Sequence, residues 1–267
     1  MFDNSVRSRF IAWISALVAV LTMPEMNLLR ADLVVVQNSG FENVAGSVVF
    51  NEFTFGPPVG WQIYNPNGIV VNNGVGPQFW VGTLRPSPPT NFFAVPEGQR
   101  VAILFNEFGT GNLGEYGLSQ TLAATLQANT RYTLEVDIGN IASGTALNGQ
   151  FFNLNGFPGY RVDLLAGGVV IASDNNSLAG SIPEGEWGAS VVQFETTASH
   201  LLLGQALGIR LVNLNQVDAS APTADLEVDF DRVRLSATAV PEPSSVMMVG
   251  LVFVTGISMR RRRVWEQ

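Results

Sequence analysis

The 267-residue chain reads as all-β, an antiparallel β-sandwich of the jelly-roll kind, on three observations. Short segments in which apolar and polar residues alternate recur from residue 32 to residue 239, as in strands with one buried and one wet face. Turn-forming clusters such as "NPNG", "VNNGVGP", "LRPSPPT" and "SGTALNGQ" separate these segments. No uninterrupted helical pattern of a dozen residues occurs ahead of the tail. Hydrophobic residues make up 46% of the chain and charged residues 13%, ample material for the core of a single domain. Cysteine is absent, which removes disulfides, thiolate catalysis and Cys-ligated zinc.

In chain order, the first element is an address. "MFDNSVRSRFIAWISALVAVLTM" sets Arg7 and Arg9 before an apolar run over residues 10–23, the charged and hydrophobic regions of a secretory signal. This predicts a signal peptide over residues 1–31, with Ala31 as the small residue at the cleavage point; the competing reading is an uncleaved anchor.

The body, residues 32–239, follows with candidate strands at 34–36, 48–53, 61–64 and 78–81. "RVAILF" is almost wholly apolar and predicts a strand buried on both faces. "TLAATLQANT" has the composition of about one helical turn. In "RYTLEVDIGN", Tyr132, Leu134, Val136 and Ile138 alternate with polar residues. Similar alternation marks Tyr160, Val162 and Leu164, then Leu207, Ile209 and Leu211, with further strands at 169–173 and 191–196. The last strand, "LEVDFDRVRLSA", slips in phase: Leu226, Val228 and Phe230 share one parity, Val233 and Leu235 the other. A one-residue bulge at Asp231 and Arg232 would return both sets to one face.

The final element, residues 240–267, is a second address. Its apolar segment predicts a transmembrane helix over 244–259, roughly 24 Å long, with the following arginines snorkelling to the interface. Arginines at that end place the C-terminus in the cytoplasm and the body outside. Val240, Pro241, Glu242 and Pro243, an apolar segment, then Arg260, Arg261, Arg262 and Arg263 resemble a PEP-CTERM sorting signal. That resemblance implies recognition and removal by exosortase. It also implies anchorage at the inner membrane before processing, and the cell envelope or extracellular space afterwards.

Between residues 32 and 239 there are 18 acidic residues against seven arginines, a net charge of −11. Such a body repels phosphate backbones, so nucleic acid is excluded as a partner, while calcium or a neutral ligand suits it. "QNSGFENVAGSV" with "PVGWQIY", "LSQTLAATLQANTRYTLEVDIG" and "LEVDFDRVRLSA" resemble the galactose-binding-like jelly rolls, many of them carbohydrate-binding modules. The resemblance implies a structural calcium ion held in part by Glu42 and Asp231; the competing reading pairs Asp231 with Arg232 or Arg234 at the surface. Trp80 and Trp187, near turns, are candidates for a sugar platform, with Glu184 and Glu186 of "PEGEWG" bonding hydroxyls, whereas Trp61 is core. The lone His200 reads as a turn residue, and no Gly-x-Ser-x-Gly elbow occurs. Acid pairs such as Asp229 with Asp231 are ordinary on a wet strand face. The sequence therefore predicts a non-catalytic, exported module that binds extracellular polysaccharide. The alternatives are a structural or adhesion protein of the exopolysaccharide matrix and, third, a glycan-processing enzyme.

Overall fold

The computed structural model describes residues 31–75, 79–87, 91–109 and 113–240. The predicted signal peptide up to residue 30, the predicted tail helix, Pro241, Glu242, Pro243 and the arginines at 260–263 lie outside the described residues. Fifteen strands occur in the described residues. The first half of the chain forms β1 (Asp32–Val34), β2 (Val48–Phe50), β3 (Phe53–Phe55), β4 (Gln62–Tyr64), β5 (Phe79–Leu84), β6 (Val101–Asn106) and β7 (Tyr116–Thr125). The second half forms β8 (Thr130–Asn140), β9 (Gly144–Thr145), β10 (Phe151–Phe152), β11 (Tyr160–Ala166), β12 (Val169–Asn175), β13 (Glu186–Glu195), β14 (Ala206–Asn213) and β15 (Leu226–Ala239). Among the described residues no helix is long and apolar enough to cross a membrane.

Two antiparallel sheets face each other. The larger runs β13-β8-β15-β6-β5-β3-β2, with β1 paired to the far half of β15; the smaller runs β12-β11-β14-β7-β4. The inward sets of the alternating strands interdigitate between them: Tyr132, Leu134, Val136 and Ile138 from β8 pack with Val162 and Leu164 from β11 and Ile209 and Leu211 from β14. Trp61 joins this core at 4% exposure, and Val228, Phe230, Val233 and Leu235 all enter it from β15. The register of β15 on β8 shifts between Asp231 and Arg234, with Arg232 at φ 47°. This is the bulge that the phase slip required.

Two local expectations are corrected. Residues 48–53 are not one strand but a hairpin, because Asn51 takes φ 52°, a conformation asparagine tolerates. The "TLAATLQANT" stretch makes no helical turn over its first half; it continues β7 to Thr125, since pairing with β14 and burial of Leu122 outweigh alanine's helix propensity.

A third layer decides where the site lies. The outer face of the larger sheet is not open to water: Val101, Ile103 and Phe105 of β6 and Leu84 of β5 form a second apolar cluster there with Phe53, Phe92, Ile141 and Leu154. The segments 91–100 and 141–159, the latter carrying the small β9–β10 ladder, supply that cover.

Candidate active site

Strand register lays out the floor of the site. Trp80 of β5 pairs with Phe105 of β6, and Phe105 pairs with Glu227 of β15, so these three side chains project from one row of the sheet. The next row reads Gly82, Ile103, Asp229, Gly139 and Trp187. Because β15 is a central strand, its second face is roofed by the cover segments, and the alternating acids of "DLEVDFD" point into protein rather than water. Asp229 is fully buried and Glu227 nearly so. This corrects the reading of that acid pattern as an ordinary wet face.

A narrow cleft separates floor from cover, lined by Glu52, Phe53, Trp80, Phe105, Phe152 and Glu227 among others. The rings are mutually packed: Trp80 stacks on Phe55 at 4.9 Å and meets Phe53 at 4.5 Å, while Phe105 and Phe152 are edge to face at 5.5 Å. Its free volume is about 30 Å³, room for little more than a water or two, so a larger occupant must displace the cover. Six buried side-chain polar atoms lack a hydrogen-bond partner among the described residues. Five of them sit in the cleft or in the adjoining row of its floor: Glu52 Oε2, Trp80 Nε1, Glu227 Oε1 and both Asp229 oxygens. Unpaired buried groups are uncommon and costly, and their concentration around one apolar cleft marks it as a place for a ligand.

Electrostatics gives the cleft its chemistry. Burial pushes the Glu227 carboxyl up to about 8, helped by the charge of Asp225. Burial, then the neighbouring Glu227, holds Asp229 well above the usual carboxylate range. Burial thus favours the protonated form of this coupled pair, Glu227 against the apolar walls of the cleft and Asp229 in the next row.

The other residues singled out by sequence are elsewhere. Trp80 lines the cleft, but its ring faces are taken up by neighbouring aromatics. Trp187, half-buried, packs on Phe92 at 4.5 Å and donates from Nε1 to the Ala94 carbonyl; Glu184 and Glu186 are exposed on the adjoining turn, and none of the three lines the cleft. His200 accepts the Leu202 N–H on Nδ1 and packs against Phe194. A second concavity, on the outer face of the smaller sheet, holds Arg210 over the Tyr64 ring at 4.3 Å. Its charges satisfy each other, with Arg161 and Arg210 both bonded to the buried Asp163.

The carboxylates proposed for calcium grip one loop. Glu42 Oε1 accepts the N–H groups of Gln99 at 2.7 Å and Arg100 at 2.8 Å, and Asp231 Oδ2 accepts that of Glu97 at 3.0 Å. Gly98 is obligatory there, since a Cβ on it would lie 2.2 Å from Glu42 Oε1 at φ +61°. Arg232 bonds Asp137 and Arg234 bonds Glu97, so neither forms the surface pair with Asp231. Burial raises Asp231 to about 7, with the charges of Glu97 and Asp137 contributing. Among the described residues no group of three or more acidic, His or Cys side chains converges as a metal site, so backbone oxygens would have to complete one.

A buried carboxyl in an apolar cleft, under a cover that carries aromatic side chains, is an arrangement that can donate a proton away from water. The chain belongs to the HpiC1 cyclase family, whose model matches residues 32–236. It is similar to a cyclase from Fischerella sp. TAU at 39% identity, covering 80% of this chain and 100% of that one with a TM-score of 0.65. A Stig cyclase from the same source, crystallised with (3Z)-3-(1-methyl-2-pyrrolidinylidene)-3H-indole, is 38% identical over 79% of this chain and 100% of its own, with a TM-score of 0.66. The same figures hold for a cyclase of that source in complex with 4-(1H-indol-3-yl)butan-2-one. No curated protein matches the chain. Residues 239–263 match the PEP-CTERM protein-sorting motif, which implies export and exosortase processing. The family overturns the expectation of a non-catalytic glycan-binding module, since residues 32–236 match a family of cyclases.

Proposed function

We propose that the protein is an exported cyclase that closes rings on an indole-bearing substrate with an unsaturated side chain, using Glu227 as the proton donor. The observation that supports it most is the buried Glu227 carboxyl beside Trp80 and Phe105 in a narrow cleft of about 30 Å³, where burial favours its protonated form. Transfer of its proton to an unsaturated carbon creates a cation, which the ring of Phe105, Glu227's neighbour in the same row of the sheet, stabilises in place of solvent. The cation is attacked by a π-bond of the same molecule, and loss of a proton returns it to the Glu227 carboxylate, so the reaction is an isomerisation. Excluding water matters because a hydroxyl would otherwise capture the cation. The indole preference rests on the ligands of the related cyclases.

Calcium, if bound, would be held by Glu42 and Asp231 and would fix the 97–100 loop at the edge of the cover, a structural part only. The tail keeps the precursor at the membrane through 244–259 until exosortase acts, and the body then belongs to the envelope or the medium.

The test is incubation of the purified protein with alkenyl-substituted indoles and detection of products of unchanged mass. Wild type should convert at least one of them, and Glu227→Gln should lose about 10²–10⁴-fold in rate. A Glu227→Gln variant as active as wild type would exclude Glu227 as the acid. For calcium, chelation should lower the melting temperature of wild type and leave an Asp231→Asn variant unmoved.

A further inference from the structure

The β2–β3 turn delivers a second carboxyl to the cleft, one that the acid step does not use. Glu52 follows Asn51 into the wall and is 9% exposed. Its main-chain carbonyl is pinned by the Arg85 N–H at 2.8 Å, so the side chain has a fixed origin. One carboxyl oxygen, Oε1, accepts the N–H of Leu147, from the cover, at 2.8 Å. The other, Oε2, is buried in the cleft with no donor, and Trp80 Nε1 is a buried donor with no acceptor. Apart from Glu227, the cleft thus holds one unpaired acceptor and one unpaired donor among mostly apolar walls, which describes the polar pattern of the molecule that fills it.

We propose that Glu52 is the specificity-determining residue: its free Oε2 accepts the ring N–H of the indole, while its Oε1 holds the cover closed over the same ligand. Trp80 Nε1 donates to an acceptor on the rest of that molecule. Glu227 is left for the reacting carbon, because a group that must give its proton to carbon is not the one to hold the ring. This inference rests on the cyclase reading above and adds the residue that orients the substrate. A site built to bond an N–H rejects the analogue lacking it far more strongly than an apolar pocket rejects an added methyl.

The experiment is calorimetric titration of the full-length protein with 4-(1H-indol-3-yl)butan-2-one and with its N-methyl derivative. Wild type should bind the N–H probe about tenfold or more tightly than the N-methyl probe. In Glu52→Gln the Leu147 N–H claims the amide oxygen and turns the NH₂ toward the ligand, so the N–H probe should weaken and the preference should fall to about threefold or less. Trp80→Phe should weaken both probes alike and leave the preference intact. Equal binding of the two probes by wild type overturns the inference without any variant having to fold, and leaves the cyclase reading standing. A full preference retained by a folded Glu52→Gln protein overturns the part given to Glu52. If wild type binds neither probe, the indole reading falls and this inference falls with it.

Discussion

Glu227 can act as an acid only while it holds a proton, and its surroundings decide up to what pH it does so. Burial and the charge of Asp225 place that limit at about 8. The cyclisation rate should therefore be level through neutral pH and fall as pH rises through about 8, which a rate–pH profile would show. Asp225→Asn removes the second of these causes, so the fall should move to lower pH; an unmoved profile would mean burial alone sets the value. Glu227→Asp keeps the acid but withdraws it by a methylene, and should retain part of the rate that Glu227→Gln loses. None of this is legible in the residue itself. Trp80 stood out in the sequence as an aromatic near a turn, but its place in the cleft wall depends on Phe53 and Phe55, which reach it from another hairpin.

On the scale of the element, β15 shows both what sequence carries and what it withholds. The phase slip at Asp231 and Arg232 announced the bulge because a strand facing a core must keep its apolar side chains on one side. The same alternation set Glu227 and Asp229 on the other side, and alternation alone cannot say whether that side meets water. It meets the 91–100 and 141–159 segments, which lack the periodicity that would have declared them a layer. Gly139, beside Asp229 in the ladder, is what lets the cover sit so close. A Cβ there would lie 2.8 Å from the Trp187 ring and 2.9 Å from that of Phe92. Gly139→Ala should displace both rings and cost about 1–3 kcal/mol of unfolding free energy, measured by urea denaturation. A variant as stable as wild type would mean that the cover yields freely at this point.

For the molecule as a whole, the buried acids set a pH optimum for stability that lies on the acid side of neutrality. Glu227 and Asp229 have folded-state values above those of an unfolded chain, so at low pH, where both states are protonated, they add no pH dependence. As pH rises past the ordinary carboxylate range toward about 8, the unfolded chain releases protons that the fold retains, and stability falls. Each such group contributes a slope of about 1.4 kcal/mol per pH unit at most within that window. Glu115 and Asp174 act oppositely. Hydrogen bonds from Arg161 hold Glu115 low, and although burial works to raise Asp174, bonds from Ser190, Tyr160 and Ser177 outweigh it. Their stabilisation is present above the unfolded value and is lost as pH falls through the folded one. The two sets together predict greatest stability near the ordinary carboxylate values, about pH 4, with decline above it toward about 8 and below it as Glu115 and Asp174 take up protons. Melting temperatures taken across that range should fall from about pH 5 to about pH 8 in wild type. The fall should be smaller in a Glu227→Gln, Asp229→Asn double variant, whose amides do not titrate, with the part owed to Asp231 persisting up to about 7 and the acid flank staying where it was. If the double variant declines toward the alkaline flank as steeply as wild type, the protons are lost elsewhere and the cleft is not where this fold holds its buried acid.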